Sequence, residues 1–345
     1  MKGAVLENLG KISIQEMEKP KCGQGQVLLK VKTCGVCKTD LKCYERGQHD
    51  LELPRILGHE IAGIVEEVGA GVDLYKIGDR VQVSPGIPCG ECDFCKRGHD
   101  NLCDDVKIIG FNYNGGFAEY ILIPARGVQN GILNLIPENI SYEEASMAEP
   151  LGCSINMQEM LKIQPKDTVV IFGGGRLGIL NAKLAKLQAA SRVILIEVDD
   201  RRLALAKQYE FDHIIDLRKV DVLKTVLELT DGIGADIVIP CCPGYDAMNL
   251  SINLLAKKGK LGFFSGLVAE DNNNHLDLNL IHYKEIIMYG SYGCAMRHTK
   301  AAIELIAKGD IQVKDMITKI ISLDELEEGI KKVKNLEELS ILVNF

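Results

Sequence analysis

The stretch Thr168-Val-Val-Ile-Phe-Gly-Gly-Gly-Arg-Leu-Gly178 decides how this chain folds. Its first five residues, rich in β-branched side chains, predict a buried strand over 168–172. Gly173, Gly175 and Gly178 follow at the spacing G-x-G-x-x-G, and Leu177, Leu180, Leu184 and Leu187 then recur at helical spacing. A strand, a glycine turn and a helix in that order read as the start of a dinucleotide-binding unit. The first glycine makes the tight turn, the second lets the backbone approach a pyrophosphate, and the third lets the helix pack close to the strand. The diphosphate then sits at the helix N-terminus, where free N–H groups and the dipole favour an anion. Spacing alone is weak evidence, because glycine turns are common, and a plain strand–helix–strand core unit is the alternative. The next strand, Arg192-Val-Ile-Leu-Ile-Glu197, favours the nucleotide reading. It ends in an acid 19 residues past Gly178, where a carboxylate would hold an adenosine ribose 2′-OH. Glu197 argues for NAD over NADP, since it would repel a 2′-phosphate; Arg201 and Arg202 nearby argue the other way. The candidate cofactor contacts are Gly173, Gly175, Arg176, Leu177, Gly178, Glu197 and Arg202, with a plain surface role the alternative for Arg176.

Outward from this stretch, strands are predicted at 192–197, 212–216, 235–240, 260–264 and 285–289, with helices including 200–209, 220–229 and 247–257 between them. Such alternation predicts a doubly wound parallel sheet over 151–290. Residues 1–150 read as short strands separated by turn signals, a β-rich and partly closed domain. The tail reads as helix, strand, helix and strand. It is expected to return to the first domain, so that 1–150 and 291–345 form one unit and 151–290 is an insertion.

The length of 345 residues suits about two domains on a prior of ~150 residues each. A net charge of −8 with no basic run argues against nucleic acid or an anionic membrane surface as partner. No apolar run approaches the ~20 residues that span a bilayer, and no signal peptide is visible, so a cytoplasmic protein is expected. In that reducing compartment the 12 cysteines point toward metal rather than disulfides.

Cys89, Cys92, Cys95 and Cys103 place four thiols in a short lobe over 88–104. Zinc takes four thiolates tetrahedrally, and two-residue gaps let neighbouring cysteines turn onto one ion. Four ligands leave no open position, which predicts a structural site; surface cysteines or two disulfides are the alternative. A second set is scattered: Cys37 in Cys34-Gly-Val-Cys37-Lys-Thr39-Asp40, His59 and Glu60 in Leu57-Gly-His59-Glu60, and Glu149 in Ala148-Glu149-Pro150. Each is ordinary alone, since a lone histidine or cysteine is more often a packed core residue than a ligand.

Taken in order, Gly-Val-Cys-Lys-Thr-Asp, Gly-His-Glu, the four-cysteine lobe, Gly115-Gly-Phe-Ala-Glu-Tyr120, Glu149-Pro150 and the glycine turn resemble the zinc-dependent medium-chain dehydrogenases essentially from end to end. Glu149 stands where the classical alcohol dehydrogenases have a ligand cysteine, so the likeness is to the branch of sorbitol, threonine and sugar-alcohol-phosphate dehydrogenases. The resemblance implies a GroES-like catalytic domain around a Rossmann domain, with the active site in the cleft between them. It implies a catalytic zinc on Cys37 and His59, with Glu60 and Glu149 as alternative or water-mediated ligands. Asp40 would hold the ring of His59, Thr39 would pass the alcohol proton, and NAD would take the hydride. The implied reaction interconverts a secondary alcohol, such as a polyol or sugar alcohol, and its ketone. The implied assembly is a homodimer or homotetramer, joined through the apolar segment Ile286-Ile-Met-Tyr289.

Two departures from the family bear on the substrate. Lys42 stands where many relatives have a relay histidine; it is either an exposed lysine or a contact for an anionic substrate group. No arginine follows 290 until Arg297, which argues against simple sorbitol specificity. A non-catalytic nucleotide-binding protein and a zinc-ribbon interaction module are the competing classes. The first would be expected to lack a ligand, and the second explains only the lobe.

Overall fold

The computed structural model describes residues 1–266 and 276–345. They divide into two compact units, Met1–Gly152 with Cys294–Phe345, and Cys153–Gly293.

The second unit is built on a six-stranded parallel sheet. Its strands run in the spatial order His213–Asp216, Arg192–Glu197, Thr168–Phe172, Ala235–Pro240, Leu255–Phe263 and Ile287–Gly290. This is the doubly wound order, with the glycine-turn strand in the middle. Side chains along a strand alternate between faces, and here both faces are buried. Val170, Phe172, Ile194 and Ile196 join one core with Val226 and Ile252 from helices Val222–Leu229 and Tyr245–Leu254. Val169, Ile171, Val193 and Leu195 join another with Ala182 and Ala185 from helix Arg176–Leu187. All five residues of Thr168–Phe172 are therefore buried, which explains the unbroken apolar run.

Several expected boundaries move. The helix expected over 247–257 ends at Leu254, because Leu255 is already extended and opens the next strand, which then runs from Leu255 instead of 260. The strand expected from 285 begins at Ile287: Glu285, at φ 53°, caps the preceding helix Leu278–Lys284 in a left-handed conformation. The helix expected over 200–209 stops at Ala206. Leu187, expected on the apolar stripe, is 45% exposed at the last turn of its helix, while Asn181 and Ala185 take buried places.

The first unit holds a seven-stranded sheet centred on Val27–Val36, flanked by Glu60–Val68 and by the C-terminal strand Ile341–Asn344, both antiparallel to it. The chain's tail thus completes a sheet begun at its start, pairing Ile341 with Val36 and Asn344 with Thr33. A separate three-stranded sheet joins Lys2–Asn8, Lys11–Glu16 and Arg55–Ile56. One continuous core runs beneath, with Leu29, Val31, Ile61, Phe117 and Ile341 at 0% exposure. Among the described residues, no helix is long and apolar enough to cross a membrane.

Asp212 fastens the nucleotide sheet locally. Its Oδ2 accepts the N–H of Val193 at 2.6 Å and the Lys186 ammonium at 2.6 Å, tying a helix end to two strands. Burial raises the pKa of this carboxyl, but the Lys186 and Val193 donors outweigh it, and the folded value lies below the ordinary one. A carboxyl lowered by folding stabilises the native state above its unfolded pKa, and that contribution fades as pH falls through the folded pKa. Asp212→Asn is therefore expected to lower stability at neutral pH. The wild-type advantage should shrink only below about pH 4, as urea melts at several pH values would show.

Candidate functional site

The first unit gathers a thiol, an imidazole and a carboxylate. The ligating atoms of Cys37, His59 and Glu60 lie within 4.8 Å of one another. Each comes from a different local device. Cys37 is the N-cap of helix Lys38–Arg46, directly after strand Val27–Val36. Glu60 opens strand Glu60–Val68 at 0% exposure, and His59 immediately precedes it. Glu60 pairs with Gly35 across the sheet, and a Cβ at Gly35 would run into Glu60 Oε2. A side chain at position 35 would displace that carboxylate from where it stands. Gly35 thus borders the candidate site, and a glycine inside a strand is a known sign of close approach.

Asp40 holds these pieces in register. Its side chain is fully buried; Oδ2 accepts the N–H of Cys37 at 2.8 Å and Oδ1 accepts the N–H of Gly58 at 3.2 Å. Oδ1 also lies 3.5 Å from His59 Nδ1, an ion-pair contact without hydrogen-bond geometry. Burial opposes a charged His59. The negative charge of Asp40 and the neighbouring Cys37 outweigh it, and the imidazole pKa stands well above its usual value. Two buried carboxylates and a thiol around one imidazole form a site that favours positive charge.

Thr39 is half-buried in the first turn of the same helix. Lys42 is exposed, and its Nζ donates to Gln48 Oε1 at 2.6 Å. Glu149 is buried in the first turn of helix Ala148–Leu161. It is not among the atoms gathered around Cys37; its carboxylate lies within 4.8 Å of the Cys294 thiol instead.

The four-cysteine lobe forms a second cluster, with all four sulfurs within 4.8 Å of one another. Cys89 and Cys95 Sγ are 3.8 Å apart and Cys92 and Cys95 Sγ 3.5 Å. A disulfide needs about 2.05 Å. Bonds of about 2.3 Å to a tetrahedral zinc place sulfurs about 3.8 Å apart. The N–H groups of Cys92 and Glu91 point at Cys89 Sγ, and that of Cys89 at Cys103 Sγ, at 3.2–3.5 Å. Backbone N–H groups bring the Cys92 thiol down to about 6, while burial pushes Cys95 up to about 12. Phe94 and Leu102 are exposed, so the lobe has little apolar core of its own. Arg297 donates to Gly98 O at 3.1 Å, which commits it to the lobe.

In the second unit the glycine turn has the geometry its spacing predicts. Gly173 takes φ +93°, and a Cβ on Gly178 would strike the Gly173 carbonyl oxygen. Gly175 is the N-cap of helix Arg176–Leu187, with nothing within 4 Å of where its Cβ would stand. Arg176 and Leu177 form the first turn of that helix, both half-buried. Glu197 Oε2 accepts the N–H of Gly174 at 2.6 Å, while Oε1 accepts those of Val198 at 2.6 Å and Asp199 at 2.9 Å. The acid is thus fixed to the turn it would serve. Arg202 is buried beside it, with its Cβ 3.6 Å from the Cβ position of Gly174. Cys241, whose Sγ receives a contact from Asn181 Nδ2 at 3.7 Å, and Cys242 are not joined by a disulfide.

Comparison with known proteins bears on both units. Residues 23–132 match the alcohol dehydrogenase GroES-like domain, and residues 177–308 match the zinc-binding dehydrogenase family. The chain is 33% identical to sorbitol dehydrogenase of Bacillus subtilis, across 96% of this chain and 93% of that one. It is 36% identical to D-arabitol-phosphate dehydrogenase of Enterococcus avium, across 95% and 92%. Among solved structures, a Sinorhizobium meliloti protein bound to NADP superposes with a TM-score of 0.91 at 31% identity, covering 100% of this chain and 99% of its own. With a GroES-like unit, a Rossmann unit and these relatives over nearly its whole length, the chain belongs to the zinc-dependent medium-chain dehydrogenases, in the branch of sorbitol, sugar-alcohol-phosphate and threonine dehydrogenases.

Proposed function

We propose that this enzyme interconverts a secondary alcohol of a polyol or sugar alcohol and its ketone, using zinc and NAD. The observation that carries the proposal is the convergence of Cys37, His59 and Glu60 around a buried Asp40. A thiolate, an imidazole and a carboxylate suit zinc, and three protein ligands leave a position for substrate. Glu60 is the carboxylate ligand in this arrangement, with Glu149 as its alternate. Cys89, Cys92, Cys95 and Cys103 hold a second, structural zinc. The glycine turn, with Arg176, Leu177 and Arg202 around it, takes the coenzyme diphosphate, and Glu197 takes the adenosine ribose diol.

When bound, zinc supplies Lewis acidity to the reacting oxygen and NAD supplies the hydride acceptor. The chain's own residues supply position and proton transfer. Asp40 orients the His59 ring and anchors the Cys37 backbone. The Thr39 hydroxyl accepts the proton of the substrate alcohol and gives its own to solvent. With Lys42 in place of a histidine, that path ends in water. Lys42, exposed and bonded to the neutral amide of Gln48, suits the phosphate of a sugar-alcohol phosphate, which is the second reading. The family likeness to the arabitol-phosphate enzyme favours it, while the sorbitol enzyme favours a neutral polyol. Threonine dehydrogenase activity is a third member of the same class. We further infer a cytoplasmic homodimer or homotetramer. The strand Ile287–Gly290 lies at the sheet edge with Ile287 and Met288 exposed, as a partner strand across a two-fold axis requires.

A panel of neutral and phosphorylated alcohols, followed by NADH absorbance, tests the reaction directly; no turnover with any of them would overturn it. Metal analysis is expected to find roughly two zinc ions per chain. Cys92→Ser should lose one of them and lower Tm by more than about 5 °C, because a closed site contributes folding free energy. Cys37→Ser should also lose one, abolish turnover and leave Tm nearly unchanged. Thr39→Val, which keeps the shape and removes the hydroxyl, should slow hydride transfer by roughly 10²-fold or more in single-turnover kinetics. Lys42→Ala should raise KM for a phosphorylated substrate and barely affect a neutral one, a split that steady-state kinetics on the two substrates would read.

A further inference from the structure

The carboxyl ends of strands Arg192–Glu197 and His213–Asp216 lie side by side. Glu197 stands opposite Asp216, and the N–H of Leu217 donates to the Glu197 carbonyl at 3.0 Å. Neighbouring strands are about 4.8 Å apart, so the residues just past Asp216 border the ribose position assigned to Glu197. The second residue after Asp216 is an arginine, Arg218, the side chain best suited to receive a 2′-phosphate.

That guanidinium is already engaged. Nε donates to Asp216 Oδ1 at 2.9 Å and Nη2 to Asp216 Oδ2 at 2.8 Å, a two-pronged grip on one carboxylate. Nη2 also donates to Asp200 Oδ1, and Nη1 reaches Asp200 Oδ2 at 3.4 Å. Asp216 further accepts the N–H of Arg218 at 3.1 Å and pairs with Lys219 at 3.1 Å. The Asp216 side chain is only 11% exposed, so this arm is the stronger one; Asp200, at 78%, closes the other side.

We propose that Asp200 and Asp216 set coenzyme preference through Arg218: they clamp its guanidinium between two carboxylates and so withhold it from a 2′-phosphate. The proposal rests on the reading that Glu197 holds an adenosine ribose. Glu197 repels the phosphate, and the clamp withdraws one of the cations, beside Arg201 and Arg202, that would compensate. Neutralising the clamp frees one guanidinium and removes two negative charges from the same rim. The NADP-bound relative shows that this fold can hold the phosphorylated coenzyme. Asp200 and Asp216 are positioning residues here, since they act on the coenzyme only by holding Arg218.

The test compares wild type with Asp200→Asn/Asp216→Asn and with Asp200→Asn alone, each variant also made with Arg218→Ala. Calorimetric affinities for NAD and NADP are measured without substrate, alongside kcat/KM for each coenzyme. The NADP-to-NAD ratio is expected to rise about tenfold or more in the double variant, the scale of one charge-assisted hydrogen bond, and to fall back when Arg218 is removed. An unchanged ratio overturns the clamp. So does a rise that survives Arg218→Ala, because that would be general charge removal. Asp200→Asn alone, at an exposed position, guards against misfolding; it should give a smaller rise that also depends on Arg218, and none would count against the proposal. A wild-type protein that already prefers NADP would instead sink the assignment of Glu197, independently of how the ratio moves between variants.

Discussion

The Asp40 carboxylate is the interaction on which the catalytic unit depends. It joins two segments that the chain keeps apart, accepting the N–H of Cys37 at a helix start and the N–H of Gly58 before a strand. It also faces the ring between them, His59. A carboxylate with no solvent exposure is costly to bury unless several donors compensate it. Here the compensation comes from the same backbone that carries two of the candidate ligands. Asp40 thus sets Cys37 and His59 against one another, while the pairing of Gly35 with Glu60 across the sheet brings in the carboxylate. Electrostatics completes the arrangement, because the surplus of buried negative charge favours a cation among these side chains.

The nucleotide unit solves a different problem. A parallel sheet buried on both faces needs apolar side chains at every position, and the central strand Thr168–Phe172 supplies them. Specific chemistry is then confined to the strand ends. Glu197 is bound through both carboxylate oxygens to backbone N–H groups, one of them in the glycine turn, so acid and turn are fixed together before any ligand arrives. Asp216 and Arg218 extend the same charged rim by one strand.

The four-cysteine lobe follows a third logic. With Phe94 and Leu102 facing solvent, its helix of four residues, Asp93–Lys96, has little apolar burial to hold it. Thiol convergence takes the place of a core, assisted by Arg126, which donates to Pro88 O at 2.7 Å, and by Asp100, which accepts the N–H of Met296 at 2.9 Å. Both contacts join the lobe to the rest of its unit, the second of them to the start of the long helix Met296–Lys308.

What the sequence determined alone is what short-range pattern encodes. The apolar run at 168–172, the glycine spacing after it and the acid closing the next strand are local, and their meaning survives without any knowledge of the partners. The C-x-x-C spacing of the lobe is local too, since two-residue gaps already turn neighbouring thiols toward one point. Tertiary structure decided whatever needs segments far apart in the chain to meet. Glu60 rather than Glu149 stands with Cys37 because Gly35 and Glu60 are register partners across a sheet. Leu255 begins a strand because it pairs with Ala235, against the helical pattern that its neighbours suggest. Asp200 meets Arg218 only because two parallel strands bring their ends together. Such contacts depend on register and on crossover topology, and neither leaves a periodic trace in the residues themselves.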